Sequence, residues 1–189
     1  HFLYNILASV QNLLSFGEIT KANKMLADLS LFYKGLLRTS NDLIPIKKEL
    51  EIAQLYMEME ALCKDNLFDW NIDMEEGIEN FLICKFTLQP ILENSIQHGF
   101  KGNGIHMHID ISIRYDDDMI EIMISDNGIG MSREGIVSKQ IHYEKHFGIS
   151  NINSRICSSL QGHGTLRVES NKDTGTTIYI RIPQLLEDY

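Results

Sequence analysis

Two polar motifs contain residues whose types and spacing could bind a ligand, and the first directly follows a predicted strand. This motif, Asp126-Asn127-Gly128-Ile129-Gly130, comes after the strand Ile120–Ile124. Its two glycines let a ligand approach the backbone closely, and an aspartate at a strand end can accept a hydrogen bond from an exocyclic amine. A plain glycine-rich turn is the alternative. A dinucleotide fingerprint and a P-loop are both excluded, because Arg133 replaces the third glycine and no Gly-Lys-Ser or Gly-Lys-Thr occurs.

The second motif is Glu93-Asn94-Ser95-Ile96-Gln97-His98, on a predicted helix. Asn94 and His98 are four residues apart and share a helix face. An asparagine beside a carboxylate such as Glu93 suits Mg²⁺ and phosphate oxygens, because Mg²⁺ prefers hard oxygen ligands. The alternative is a polar helix face that ends at Gly99, which is a natural C-terminal cap.

Two further segments carry weaker signals. His146-Phe147-Gly148-Ile149-Ser150-Asn151 opens a predicted helix that also carries Arg155, four residues after Asn151. A glycine at a helix N-terminus exposes backbone N–H groups to an anion. Gly175-Thr176-Thr177 begins the last predicted strand. Simple helix capping and ordinary strand threonines are the alternatives for these two segments.

The elements that must position these motifs fall into two groups, and the first group is helical. Apolar residues recur at helical spacing from Phe2 to Leu14, and further helices are predicted at about Glu18–Arg38 and Lys47–Lys64. The stripe on the second helix is close to a heptad seam. It fits either a core helix within a monomer or a dimer bundle, and we favour the dimer.

The pattern changes near residue 65, where strands begin to alternate with helices. Predicted strands lie at Leu67–Ile72, Ile105–Tyr115, Met119–Ile124, Leu166–Ser170 and Thr176–Ile182, and predicted helices at Cys84–His98 and Gly148–Leu160. Pro90 predicts a kink or a late start in the first of these helices. Consecutive hairpins predict a sheet that is at least partly antiparallel. We therefore expect an α+β chain with a helical part, 1–64, and an α/β part, 65–189.

Composition excludes several classes of protein. The 189 residues are 43% hydrophobic, as expected of a globular chain, and the net charge of −9 makes a broad nucleic-acid interface improbable. Three cysteines, an odd number with no CxxC, argue against a disulfide framework. No apolar run approaches the roughly 18 residues of a membrane span. The sequence begins with His1 rather than Met, so we expect a fragment, and any membrane anchor would lie upstream of it.

Taken in order, the four motifs resemble a known family over residues 80–182, the GHKL ATP-binding fold of histidine kinases, gyrase-type ATPases and Hsp90. Glu93–His98 is similar to the N box, Asp126–Gly130 to the first glycine box and Phe147–Arg155 to the second. His1-Phe2-Leu3-Tyr4-Asn5 resembles the H box of LytS/YesM-type sensor histidine kinases, and Leu88–Asn94 and Gly148–Ile152 are typical of that group. The resemblance implies a helical dimerisation and phosphoacceptor segment, followed by a Bergerat-type α/β sandwich with a mixed, largely antiparallel sheet.

The resemblance also implies functional roles for the matched residues. His1 would accept the γ-phosphoryl group of ATP and pass it to an aspartate of a response regulator. Asn94 would bind Mg²⁺, and Asp126 would accept a hydrogen bond from the adenine amino group. The other implied nucleotide contacts are His98, Lys101, Gly128, Gly130, Gly148, Asn151, Arg155 and Thr177. The protein would be a homodimer and the cytoplasmic portion of a bacterial cell-membrane protein.

The sequence departs from the common kinase pattern in two places. Phe2 follows His1 where many histidine kinases have an acidic residue, so the group that polarises His1 is left open between Glu93 and Asn5. The second glycine box has one glycine, Gly148, and Met131–Phe147 would form the lid over the nucleotide. The alternative functions are a GHKL ATP hydrolase that uses Glu93 to activate water and a degenerate nucleotide-binding scaffold.

Overall fold

The computed structural model describes residues 2–37, 42–64, 66–99, 106–130, 147–160 and 162–187. The helices are α1 (Phe2–Ser15), α2 (Ile19–Leu37), α3 (Ile46–Cys63), α4 (Leu88–His98) and α5 (Phe147–Ser159). The strands are β1 (Leu43–Pro45), β2 (Phe68–Met74), β3 (Leu82–Cys84), β4 (Met107–Asp116), β5 (Met119–Asp126), β6 (Thr165–Asn171) and β7 (Gly175–Pro183). Among these helices, none combines the length and the apolar character that a membrane crossing requires.

The main sheet of the described chain has the strand order β2-β4-β5-β7-β6. Strand β2 runs parallel to β4, whereas the β4–β5, β5–β7 and β6–β7 pairs are antiparallel. Strands β1 and β3 form a separate antiparallel pair. The predicted α+β fold with a mixed, largely antiparallel sheet is confirmed.

Alternating isoleucines bury one face of this sheet. They are Ile109, Ile111 and Ile113 on β4, Ile120, Ile122 and Ile124 on β5, and Ile178, Ile180 and Ile182 on β7. Apolar residues of α4 and α5 belong to the same core: Ile91, Leu92, Ile96, Ile152 and Ile156. Because successive strand residues point to opposite faces, the strict alternation leaves the other face of the sheet polar.

Helix α3 connects the helical part of the chain to the sheet part. It packs against α1 and α2 of the helical part and also against α4. At the start of α1, the ring of Phe2 lies 5.4 Å from that of Phe32 and 5.0 Å from that of Tyr56 on α3. The predicted division between residues 64 and 65 stays a prediction, since α3 has contacts on both sides.

Helix α4 begins later than its apolar pattern suggests. Residues 84–87 are outside the helix, which begins at Leu88. Pro90 therefore lies in the first turn, where its missing N–H removes no helical hydrogen bond. The expected late start is confirmed.

The chain makes two close backbone contacts where β5 ends. Gly175 has a φ of +97°, and a Cβ at this position would overlap the carbonyl oxygen of Asp126. Gly130 has a φ of +61°, and a Cβ there would overlap the carbonyl oxygen of Asn171. Both positions therefore require glycine for two reasons, the backbone angle and the lack of space.

A comparison of Gly175→Ala with Gly162→Ala separates the cost of the backbone angle from the cost of overlap. Gly162 has a φ of +84°, but a Cβ at this position would have no atom within 4 Å. We expect Gly162→Ala to lower the free energy of unfolding by about 1 kcal/mol, the cost of the backbone angle. Gly175→Ala should lower it by about 3 kcal/mol or more, since overlap adds to that cost. Urea unfolding measures both values, and equal losses would contradict the close contact.

A cluster of charged side chains lies on the polar face where β2 pairs with β4. Nδ1 of His108 contacts the carboxylate of Asp69, and Nε2 lies 3.2 Å from Oδ1 of Asp110. Nε2 of His106 lies 3.1 Å from Oδ2 of Asp69. The hydrogen bond to Asp69 raises the pKa of His108 above its ordinary value, and Asp110 acts in the same direction.

We expect the imidazole of His108 to titrate above the ordinary histidine pKa of about 6.5. Its stabilising effect is complete below that ordinary value and is lost as the pH rises through the raised pKa. Asp69→Asn should bring the pKa of His108 back down, as NMR titration of the ring can measure. A pKa that is unchanged by Asp69→Asn would contradict the assigned cause.

Candidate functional site

The carboxylate of Asp126 joins three separate elements. Asp126 ends β5 and is 7% exposed. The hydroxyl of Ser95, on α4, donates to its Oδ2 at 2.8 Å. The backbone N–H groups of Gly128 and Thr176 donate to Oδ1 at 3.0 and 3.2 Å. Helix α4, the glycine segment (residues 127–130, directly after β5) and the start of β7 therefore meet at a single buried side chain.

Among the described residues, three hydrogen bonds reach the carboxylate of Asp126. A carboxylate offers about four acceptor positions on its two oxygens, and the described contacts use two on Oδ1 and one on Oδ2. The donors of the described residues therefore leave one acceptor position on Oδ2 without a partner. A further donor there would add to the three that already offset the cost of burying this carboxylate.

The glycine segment after β5 packs against the protein's own backbone. A Cβ on Gly128 would lie 2.7 Å from the Cα of Gly99, at the end of α4. The side chain of Asn127 accepts a hydrogen bond from the N–H of His108 at 2.7 Å and donates to the carbonyl of His106 at 3.2 Å. These contacts attach the segment to α4 and β4. Nucleotide contacts of Gly128 and Gly130 stay predictions.

The structure places the two threonines of β7 on opposite faces of the sheet. Thr176 pairs with Asp126 in register and Thr177 pairs with Ser125. The hydroxyl of Thr177 lies 2.9 Å from that of Ser125, on the face opposite to Asp126. Thr176 is therefore the threonine beside Asp126, and the sequence analysis singled out its neighbour.

Ser95 is a second residue that the sequence analysis missed. It is 8% exposed and shares the apolar face of α4 with Ile91 and Leu92. A serine on an otherwise apolar helix face is a signal that could have found it, because buried hydroxyls need a partner. The spacing of Asn94 and His98 predicts a ligand on the neighbouring face instead.

Glu93 and Asn94 are half-buried on α4. The carboxylate of Glu93 accepts a hydrogen bond from Gln97 at 3.0 Å. Burial raises the pKa values of Tyr56 and Glu60 on α3, and the charge of Glu93 acts in the same direction on both. The charge of Glu93 is therefore felt on α3, at the tyrosine that Phe2 contacts.

The second glycine box forms the start of α5. Gly148 is in its first turn and Asn151 is exposed. The guanidinium group of Arg155 donates to the carbonyl oxygens of Lys85 and, at 3.4 Å, Phe86. Arg155 thus contacts the turn before α4, and its predicted nucleotide contact stays a prediction.

Part of the predicted site lies outside the described residues. His1, Lys101 and residues 131–146 of the predicted lid lie outside the described residues. His98 is the last residue of α4. Their predicted roles stay predictions.

Family models match both parts of the chain. The model for the histidine kinase-, DNA gyrase B-, and HSP90-like ATPase matches residues 84–186. The model for the histidine kinase matches residues 1–67. These two matches follow one another along the chain in the order that the motifs predict.

Curated relatives match nearly all of the chain. An uncharacterized sensor-like histidine kinase of Staphylococcus epidermidis is 28% identical over 189 residues, which cover 97% of this chain and 36% of the relative. The sensor protein kinase HptS of Staphylococcus aureus is 25% identical with the same coverage. The chain therefore spans about a third of the length of these relatives.

Solved histidine kinase structures share the fold. The catalytic domain of histidine kinase ThkA aligns with a TM-score of 0.57 at 13% identity, covering 76% of this chain and 95% of that one. The histidine kinase domain from the blue-light activated kinase EL346 of Erythrobacter litoralis aligns with a TM-score of 0.58 at 14% identity, covering 90% and 83%. The chain belongs to the histidine kinase-, DNA gyrase B- and HSP90-like ATPase family, and it is similar to sensor histidine kinases over nearly its whole length.

Proposed function

We propose that this chain is the kinase core of a two-component sensor histidine kinase. It binds Mg-ATP, phosphorylates His1 and passes the phosphoryl group to an aspartate of a response regulator. The observation that carries the proposal is the buried carboxylate of Asp126, whose Oδ2 accepts one hydrogen bond from the described residues and could accept another from a ligand.

The amino group of adenine is the donor that fits this position. It would donate to Oδ2 of Asp126, while Ser95 and the N–H groups of Gly128 and Thr176 keep the carboxylate in place. A base with a carbonyl oxygen at the same place would bring two acceptors together. The site therefore favours adenine over hypoxanthine or guanine.

The phosphate side of the site would extend along α4 and α5. The amide oxygen of Asn94 is a suitable Mg²⁺ ligand, together with oxygens from the phosphates. The N–H groups near Gly148, at the start of α5, favour an anion. His98, Lys101 and Asn151 are the further phosphate contacts that we propose. When bound, Mg-ATP supplies the phosphoryl group and Mg²⁺ neutralises part of its charge.

His1 would act as the nucleophile. A neutral imidazole is abundant near neutral pH, because the ordinary pKa is about 6.5. The lone pair of one ring nitrogen attacks the γ-phosphorus, the bond to the bridging oxygen breaks and ADP leaves. We propose Glu93 as the group that orients His1. The support is that Phe2, the neighbour of His1 in sequence, contacts Tyr56, whose pKa is raised by burial and also by the charge of Glu93.

We also propose that the protein is a homodimer anchored in a bacterial membrane by an upstream segment, with this part in the cytoplasm. Support for the dimer is a set of exposed apolar side chains on and beside α1 and α2: Leu3, Leu7, Leu14, Phe16, Ile19, Leu26, Leu31 and Leu37. Exposed apolar surface of this extent is typical of an interaction site. The net charge of −9 gives no support to nucleic acid as a partner.

The experiment that tests this function is incubation with labelled ATP and Mg²⁺, using the protein with its upstream residues. We expect label that is labile in acid and stable in alkali, as a phosphohistidine is. The label should be absent from His1→Ala, which lacks the nucleophile, and from Asn94→Ala, which lacks the Mg²⁺ ligand. His163→Ala, at an exposed histidine, should keep it.

ATP binding without label on the wild-type protein would contradict the autokinase. Measurement of phosphate release would then separate the two alternatives, since a hydrolase releases phosphate and a scaffold does not. Label that survives in His1→Ala would contradict the assignment of the nucleophile alone.

A further inference from the structure

The turn of residues 85–88, which leads into α4, has a strained backbone and is held from several sides. Phe86 has a φ of +61°, a conformation that costs a non-glycine residue roughly 1–2 kcal/mol. Such a conformation persists only where the surroundings hold it. The residues that hold this turn are not explained by the proposed nucleotide contacts.

Glu49, on α3, holds the N–H groups of the turn. Glu49 is 2% exposed. It accepts hydrogen bonds from the N–H groups of Phe86 at 3.2 Å, Thr87 at 2.8 Å and Leu88 at 2.9 Å. Thr87 itself gives α4 no side-chain cap, because its hydroxyl donates to the carbonyl of Cys84. Glu49 therefore caps α4 from another helix.

Arg155, on α5, holds the carbonyl groups of the same turn. Its guanidinium group donates to the carbonyls of Lys85 and Phe86 and lies 5.9 Å from the centre of the Phe86 ring. Burial raises the pKa of Glu49, whereas the three N–H donors and the charge of Arg155 oppose that rise. A carboxylate and a guanidinium group thus complement the two sides of one turn.

The turn is also joined to the end of α2. The side-chain ammonium group of Lys85 donates to the carbonyl of Leu36, near the C-terminal end of that helix. The N–H of Lys85 donates to the carbonyl of Asp42 at 2.9 Å. Elements α2, α3, α4 and α5 therefore all contact residues 85–88.

We propose that Glu49 and Arg155 are positioning residues for the Mg²⁺ side of the nucleotide site. They fix the start of α4, and the rigid helix transmits that placement to Asn94, about 9 Å along its axis. Neither residue touches the nucleotide in this account. The inference rests on the proposed function, because it gives Asn94 the role of Mg²⁺ ligand.

The first test needs no nucleotide. Glu49→Gln keeps the shape of the side chain but places an NH2 donor against the N–H of Phe86. Arg155→Gln removes the guanidinium group that donates to the carbonyls of the turn. We expect the N–H groups of Phe86, Thr87 and Leu88 to exchange with solvent about tenfold faster in each variant, as for a lost helix cap. Arg167→Gln, at an exposed arginine on β6 that contacts Glu169 and Tyr179, is the matched control and should leave them unchanged. Unchanged exchange in both Glu49→Gln and Arg155→Gln would overturn the proposal.

The second test compares calorimetric binding of ATP with Mg²⁺ and ATP with a chelator. Positioning through Asn94 predicts that both variants lose about fivefold or more of the gain in affinity that Mg²⁺ provides, with little change without Mg²⁺. The double variant should lose little more of this Mg²⁺-dependent gain than the single variant with the larger loss, because both substitutions act on one turn. Arg167→Gln should behave as wild type.

Three other results would overturn the proposal and can be told apart. A loss confined to Arg155→Gln, equal with and without Mg²⁺, would mean that Arg155 contacts the phosphates directly. Faster exchange with an unchanged Mg²⁺ effect would mean that the turn is purely structural. A wild-type protein that binds no ATP would overturn the proposed function and this inference together, while the exchange result would still report on the turn.

Discussion

The carboxylate of Asp126 is the constraint on which the arrangement of the site depends. A buried charge is stable only when hydrogen-bond donors surround it, and here they come from Ser95, Gly128 and Thr176. Each donor belongs to a different element. The hydrogen bonds to this one carboxylate therefore fix the positions of α4, the glycine segment and the start of β7 relative to one another. The glycines at 130 and 175 follow from the same constraint, because the segments that meet here leave no room for a Cβ.

Helix α4 is held along its whole length, and each contact comes from a different part of the chain. Glu49 and Arg155 hold its start, Ser95 attaches its middle to Asp126, and Gly99 packs against Gly128 at its end. A helix held in this way has little freedom to move alone. The turn that Lys85 joins to the end of α2 is one route, beside α3, by which movement of α2 can reach the candidate site.

The parts of the fold that sequence reasoning predicted are those with strong local periodicity. The alternation from Ile105 to Tyr115 predicts β4 because every second residue enters the core. The short strands β1 and β3 were missed, since three residues carry no period. Pro90 signalled that α4 begins late, but the contact of Glu49 with its first N–H groups joins residues distant in sequence and could not be predicted.

The candidate site shows the same division between local and distant information. The resemblance to a family identified Asp126 and Asn94 as candidate site residues. The neighbours of Asp126, however, depend on strand register and helix packing. Register puts Thr176, rather than Thr177, beside Asp126. The contacts of Arg155 with residues 85 and 86 join positions about 70 apart in sequence, which no local pattern encodes.

The most direct test of this account compares the binding of Mg-ATP and Mg-ITP by calorimetry. Hypoxanthine carries a carbonyl oxygen where adenine carries the amino group, so it would face the carboxylate of Asp126 with no donor between them. We predict that ITP binds at least about 30-fold more weakly than ATP. Asp126→Asn should reduce that preference. Equal affinities for ATP and ITP in the wild-type protein would contradict the role of Asp126 and with it the central claim.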